Sequence, residues 1–185
     1  MPTASSFLAQ KKGREHTFTL KPDYVLIDYE TVTPAFLRAL GIKLLLADLD
    51  YTLAPKRQVE PDEGLRAWVD GLRRGGVTLA ILSNNRSSRR VERFCAALGV
   101  SYVSHAGKPS VRGFQEAMRR HGAEAGETAM LGDKLLTDTL GAKRCGLCML
   151  MVEPRGGPVG AWNHLLHAMQ EPFKRRAAHD IRGSK

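Results

Sequence analysis

Apolar and polar positions follow two alternating rhythms along this chain. Residues 42–47 form an apolar run broken only by Lys43, the pattern of a strand buried on both faces. Residues 62–74 then carry Leu65, Trp68, Val69 and Leu72 at the spacing of one helical face. Pro61 suits the entry to that helix and Gly75-Gly76 ends it. Residues 77–82 (VTLAIL) are the next strand. A helix over 87–98 follows, with Val91, Phe94, Cys95 and Leu98 on one side and Gly99 as its stop. The alternation continues with a short strand at 100–103 and a helix over 109–121 closed by Gly122. It ends with a strand at 128–131, a helix at 137–144 and a strand at 147–152.

Strands alternating with helices predict an α/β fold, a Rossmann-like doubly wound parallel sheet. Right-handed crossovers place helices on both faces, and ligands bind at the carboxyl ends of the strands. The core is expected over 41–153, with an N-terminal extension over 1–40 packing on it. That extension holds the apolar stretch Tyr24-Val25-Leu26-Ile27 and a helix over 33–40 with Thr33 as its cap. Residues 154–185 predict a turn-rich connection, an amphipathic helix with Trp162, Leu165, Leu166 and Met169, and a basic tail.

Composition narrows the class. A hydrophobic fraction of 43% and a charged fraction of 25% are those of a globular protein. The run Leu44-Leu45-Leu46-Ala47 falls far short of the roughly 20 residues a bilayer span needs. With no signal-peptide pattern at the start and three cysteines that cannot all pair, a reducing, cytoplasmic setting is expected. Cys145 and Cys148 have CxxC spacing, but no second ligand pair completes a zinc site, so both read as packing residues. The net charge of +9 points to an anionic partner: phosphate esters, acidic lipid headgroups or nucleic acid. Part of that excess lies in Lys11-Lys12-Gly13-Arg14 and Lys174-Arg175-Arg176, which read as solvated ends.

The residues that follow each strand carry the chemistry. After the first come Asp48 and Asp50, which alternation puts on the same side at the strand's carboxyl end. Two close carboxylates repel, and a magnesium ion with its preference for oxygen ligands would relieve them. After the second strand, Ser83-Asn84-Asn85 offers a hydroxyl and turn N–H groups to an anion. Lys108 precedes the next helix, and Asp133 and Asp138 follow the fourth strand. Asp138 could instead complement a helix dipole. Four consecutive strands ending in groups suited to magnesium or phosphate make coincidence a poor account.

This order resembles the haloacid-dehalogenase-like phosphatase superfamily over residues 43–152. Asp48-Leu-Asp50-x-Thr52 matches its DxDxT signature, and Ser83, Lys108 and Gly132-Asp133 with Asp138 match the later motifs. The combination is similar to bacterial YqeG-type phosphatases of subclass IIIA, themselves similar to mitochondrial phosphatidylglycerophosphate phosphatases. Tyr51 departs from the pattern, since relatives carry Asn or Gly there. The resemblance implies Asp48 as nucleophile and Asp50 as general acid/base. It implies Thr52, Ser83, Asn84 and Lys108 around the phosphate, with Thr52 orienting the loop. Magnesium would be held by Asp48, the Asp50 backbone carbonyl and Asp133, and Asp138 would support the metal's water shell or Lys108.

Such enzymes often carry a cap domain between motifs. Here the intervals from Asp48 to Ser83 and from Ser83 to Lys108 are each taken up by one helix and one strand. A capless site suits a large or membrane-presented phosphomonoester, phosphatidylglycerophosphate first, with peripheral contact to an anionic membrane. The alternatives are a nucleotide, nucleic-acid-end or protein phosphatase, or a ribosome- or RNA-associated binding module on the same scaffold. The intact aspartate pair argues against the binding module, which has no need of a nucleophile.

Overall fold

A computed structural model describes residues 20–56, 58–85, 88–156 and 161–182. Seven strands form one parallel sheet: β1 Tyr24–Leu26, β2 Leu44–Ala47, β3 Thr78–Leu82, β4 Ser101–Val103, β5 Thr128–Gly132, β6 Cys148–Val152 and β7 His179–Asp180. Their spatial order is β4-β3-β2-β5-β6-β1-β7. The order reverses beside β2, which pairs with both β3 and β5 and puts Ala47 opposite Ile81 and Leu131. Such a reversal opens a crevice at the carboxyl ends.

Strand parity divides the core in two. Leu45, Ala47, Leu79, Ile81 and Leu131 point to a layer holding Leu65, Val69 and Phe94 from α2 (Glu63–Arg74) and α3 (Ser88–Leu98). Leu44, Leu46, Ala80, Leu82 and Met130 point the other way, toward Phe114 and Ala117 of α4 (Val111–His121). Because both faces are covered, every side chain of β2 is buried, and each leucine there contributes about 2 kcal/mol by leaving water. Truncating Leu46 to alanine would cost about 3 kcal/mol. The caps follow their sequence signals: Thr33 accepts from Phe36 N ahead of α1 (Pro34–Ala39), and Asp62 accepts from Leu65 N ahead of α2.

Both ends of the chain depart from the expected layout. The apolar stretch at 24–27 does not merely pack on the core: β1 pairs with β6, and β7 extends the sheet by pairing with β1. The helix α6 (Ala161–Lys174) leads into β7. Lys174, read as part of a solvated basic end, is 1% exposed and ion-paired to Glu153 at 2.6 Å and Glu171 at 3.1 Å. Both glutamates also meet Arg182, at 2.7 and 3.3 Å. The Lys11–Arg14 cluster and the side chain of Trp162 lie outside the described residues. Cys145 caps α5 (Leu140–Arg144) and Cys148 opens β6, both half-buried, and burial pushes the Cys145 thiol up to about 11. No described helix is long and apolar enough to cross a membrane.

Candidate active site

Asp48 is the first residue beyond β2, and its N–H still donates to Leu131 O on the neighbouring strand at 2.9 Å. The backbone under the carboxylate is therefore fixed by the sheet. Lys108 Nζ lies 2.6 Å from Asp48 Oδ1 and 2.7 Å from Asp138 Oδ1, with all three side chains almost fully buried. Burial works against the Lys108 ammonium, but Asp138 and Asp48 outweigh it and raise its pKa. The lysine backbone is clamped as well: Asn84 Nδ2 donates to Lys108 O at 2.9 Å and Lys108 N donates to Asn84 Oδ1 at 2.8 Å. This reciprocal pair ties the segment after β3 to the segment before α4.

Asp133 follows β5 and is 1% exposed. Burial raises its pKa to about 7, helped by the charges of Asp138 and Asp48 and opposed by Lys134. Asp138 belongs to a π-helical turn, Leu135–Thr139, that leads into α5, so the helix expected over 137–144 begins earlier and in a wider winding. That winding aims the carboxylate back at the strand end, where Oδ2 accepts from Lys134 N at 3.1 Å. Burial and the nearby Asp48 raise the Asp138 pKa, and it is no exposed helix-dipole partner. Glycine at 132 is required for this approach, since a Cβ there would stand 2.6 Å from the Asp138 side chain.

One oxygen from each of Asp48, Asp133 and Asp138 lies within 4.8 Å of the others. Three buried carboxylates face two ammoniums, those of Lys108 and Lys134. Hard oxygen donors carrying excess negative charge fit a divalent cation such as magnesium. A divalent cation would turn the local balance positive, which a phosphoryl dianion then meets. Asp138, expected beside the metal's water shell or Lys108, lies with Asp48 and Asp133, while the Asp50 carboxylate, which the expected metal set does not use, points elsewhere. Asp50 Oδ1 accepts from Arg90 Nη1 at 2.6 Å and Oδ2 accepts from Asn85 Nδ2 at 2.9 Å.

Asp48, Asp50, Ser83, Asn84 and Lys108 line one open cleft of about 410 Å³, together with Tyr51, Lys56 and Lys134. Ser83 Oγ accepts from Asn85 N at 3.1 Å, which fixes the hydroxyl at the cleft wall. Thr52, expected among the phosphate contacts, is instead buried behind the cleft and donates to Asp133 Oδ1 at 3.3 Å. It holds a carboxylate rather than facing the cleft.

Two cations escaped the sequence reading. Lys134 Nζ sits 2.8 Å from Asp133 Oδ1 and 3.8 Å from Asp48 Oδ2, with its ammonium 5.6 Å from the centre of the Tyr51 ring. Its place directly after Asp133 at a strand end was the available signal. Arg90 lies in the first turn of α3, which starts at the same sheet edge.

A doubly wound parallel sheet whose crevice holds buried carboxylates, clamped lysines and a half-buried aspartate defines a hydrolase of the phosphoryl-transfer kind. The chain belongs to the haloacid dehalogenase-like hydrolases, whose family model matches residues 7–146, and it is a phosphatase of that family. It is 32% identical over 133 residues to the protein named probable phosphatase YqeG from Bacillus subtilis (strain 168), covering 72% of this chain and 77% of that one. It is 28% identical over 150 residues to phosphatidylglycerophosphate phosphatase 1, chloroplastic, of Chlamydomonas reinhardtii, covering 75% of this chain and 54% of that relative. The chain thus spans about half the length of the second relative. The 3-deoxy-D-manno-octulosonate 8-phosphate phosphatase of Yersinia pestis shares the fold, with a TM-score of 0.53 at 18% identity over 77% of this chain and 73% of its own.

Proposed function

We propose that the protein hydrolyses phosphomonoesters through an aspartyl-phosphate on Asp48, and that its substrate is large or membrane-presented, with phosphatidylglycerophosphate the leading candidate. The reading is carried by one observation: Asp48 lies against the Lys108 ammonium at 2.6 Å, within the carboxylate group and on the wall of an open cleft. Asp48 attacks phosphorus and the bond to the ester oxygen breaks. Asp50 gives its proton to that oxygen, then takes one from the water that releases phosphate. Lys108, Ser83 and the N–H of Asn84 hold the phosphoryl oxygens and orient the phosphorus toward Asp48. Asp48, the Asp50 carbonyl and Asp133 would hold magnesium, with Asp138 supporting the site and Thr52 fixing Asp133. Magnesium, when bound, supplies positive charge to the phosphoryl oxygens.

The intervals between the site segments support a substrate too large to be enclosed: among the described residues, α2 and β3 are the only helix and strand between Asp48 and Ser83, and α3 and β4 the only ones between Ser83 and Lys108. Peripheral contact with an anionic membrane is supported by the cleft's lip. Leu136 is 57% exposed between Lys134 and Thr137, both of which line the cleft. Leu135 N donates to Gln170 Oε1, which brings α6 and its exposed Leu165 and Met169 to the same region. Lysines at the rim suit anionic headgroups.

A magnesium-dependent phosphate-release assay tests the reading. Phosphatidylglycerophosphate in mixed micelles is compared with nucleotides, phosphorylated DNA and RNA ends, sugar phosphates and phosphopeptides. Turnover of the lipid should lead, and a wide preference for any of the others would overturn the lipid assignment.

A further inference from the structure

Asp50 is gripped by a cation that the reaction as described leaves without a task. Arg90 Nη1 donates to Asp50 Oδ1 at 2.6 Å, and the two side chains are 14% and 16% exposed. The rest of the guanidinium is anchored from behind. Its Nε and Nη2 donate to Gln58 O at 3.1 and 2.9 Å, and Nη2 reaches Pro55 O at 3.4 Å. A guanidinium is planar, with its donors in a fixed fork. Two backbone carbonyls therefore set its plane independently of Asp50. The second oxygen of Asp50 receives Asn85 Nδ2 at 2.9 Å. Each carboxylate oxygen thus has its own donor, one on α3 and one just after β3.

A tie between the 55–58 segment and α3 would need only the carbonyl contacts. Nη1, which makes none of those contacts, is aimed at Asp50 and does something further. We propose that Arg90 is a positioning residue for proton transfer, holding the Asp50 carboxyl in the orientation from which it serves the leaving oxygen and then the attacking water. This rests on the acid/base reading of Asp50. In the first half-reaction the Asp48–phosphorus bond forms, the phosphorus–ester bond breaks and the Asp50 proton goes to the departing oxygen. That leaves on Asp50 the negative charge that Arg90 and Asn85 are placed to receive. In the second, the same carboxylate takes a proton from water as the Asp48–phosphorus bond breaks. A donor held within hydrogen-bond reach of the leaving oxygen matters only where that oxygen needs protonating.

The test is therefore leaving-group dependence. With full-length protein and magnesium, kcat/KM is measured for p-nitrophenyl phosphate, whose leaving group departs unaided, and for octyl phosphate, whose leaving group does not. Arg90→Ala should lose about 10- to 100-fold on octyl phosphate and under about threefold on p-nitrophenyl phosphate. Asp50→Asn should show the same selectivity with a larger loss, and the double variant should be no worse than Asp50→Asn alone. Should Arg90→Ala fold poorly by melting temperature, Arg90→Lys keeps the charge, loses the fork, and should show the selective loss in milder form. Equal losses on both esters, or losses that add to those of Asp50→Asn, would overturn the positioning role and leave the acid/base reading standing. Absence of selectivity in Asp50→Asn itself would remove the acid/base reading and the inference with it.

Discussion

The two ends of this sheet each open a cleft of similar size, about 410 Å³ at the carboxyl end and 380 Å³ at the amino end, yet they differ in chemistry. At the amino end, Val69, Gly76, Thr78, Gly99, Val100 and Ser101 form most of the wall. Its charged member, Arg73, gives Nη2 to Leu98 O and Gly99 O at 2.6 Å each, and its His121 meets Ser101 Oγ at 2.7 Å. Those contacts tie α2 to the end of α3 and α4 to β4. At the carboxyl end, three buried carboxylates face the buried Lys108 ammonium and the half-exposed one of Lys134, so negative charge is kept out of water without being fully balanced. Volume alone does not define a site; unbalanced, desolvated groups aimed at one space do.

The largest effect should come from removing the nucleophile. Asp48→Asn keeps the shape and should lower kcat by about 10⁴-fold or more, while far-ultraviolet circular dichroism stays unchanged. Retained turnover would dissolve the contrast between the two ends. Lys108→Met should follow, with about a 10³-fold loss of kcat and about 3 kcal/mol of stability, because Asp48 and Asp138 lose the cation they share. Urea unfolding measures the second quantity. The expected response to pH and metal is smaller. Asp133 has a folded pKa of about 7 against an ordinary 3.8, so its contribution favours folding at low pH and is lost as pH rises through about 7. Metal-free protein should therefore lose stability between pH 4 and 7, and magnesium should raise the melting temperature more at pH 8 than at pH 5, where protons compete for the carboxylate. At the amino end, His121→Ala should leave kcat/KM within about twofold of the parent, and Arg73→Ala should cost about 1 kcal/mol through two lost carbonyl contacts with no change in turnover. A loss of activity in either would give the second cleft a role.

How far these ends could be read in the sequence depends on what each element buries. Strands β2, β3, β5 and β6 are covered on both faces, so they read as apolar runs, and the fold class followed from them. The candidate site residues Asp48, Ser83, Lys108 and Asp133 stood out because each lies next to such a strand or to a helix start. β1 and β7 were not legible as strands. They have three and two residues, and β7 rests on tertiary contacts such as the Tyr24 ring stacked on His179 at 4.7 Å. Lys174 looked solvated because its partner Glu153 lies 21 positions away in the chain. The grip on Asp50 was hidden for a like reason, since Arg90 looks like the polar face of an amphipathic helix until α3 is placed at the sheet edge. Asp138 was singled out by its motif, but the π-helical turn that buries it has no sequence period of its own.

The smallest effect concerns Tyr51, which lines the carboxyl-end cleft and has a φ of 69°, in the left-handed region that suits glycine or asparagine. Its backbone is held there by Tyr51 N donating to Ala54 O at 2.8 Å and by Arg155 N donating to Tyr51 O at 2.7 Å. A tyrosine in that region costs about 1 kcal/mol. The contact between its ring and the Lys134 ammonium, centred 5.6 Å away and partly in water, returns less than that. Tyr51→Asn should therefore raise stability by about 0.5–1 kcal/mol, read from the urea midpoint at constant slope. The amino-end cleft offers no matching substitution, because its positive-φ positions, Gly76 and Gly99, are already glycine. A destabilised Tyr51→Asn would mean that the ring on Lys134 outweighs the backbone strain, and that the carboxyl end holds Tyr51 for its side chain.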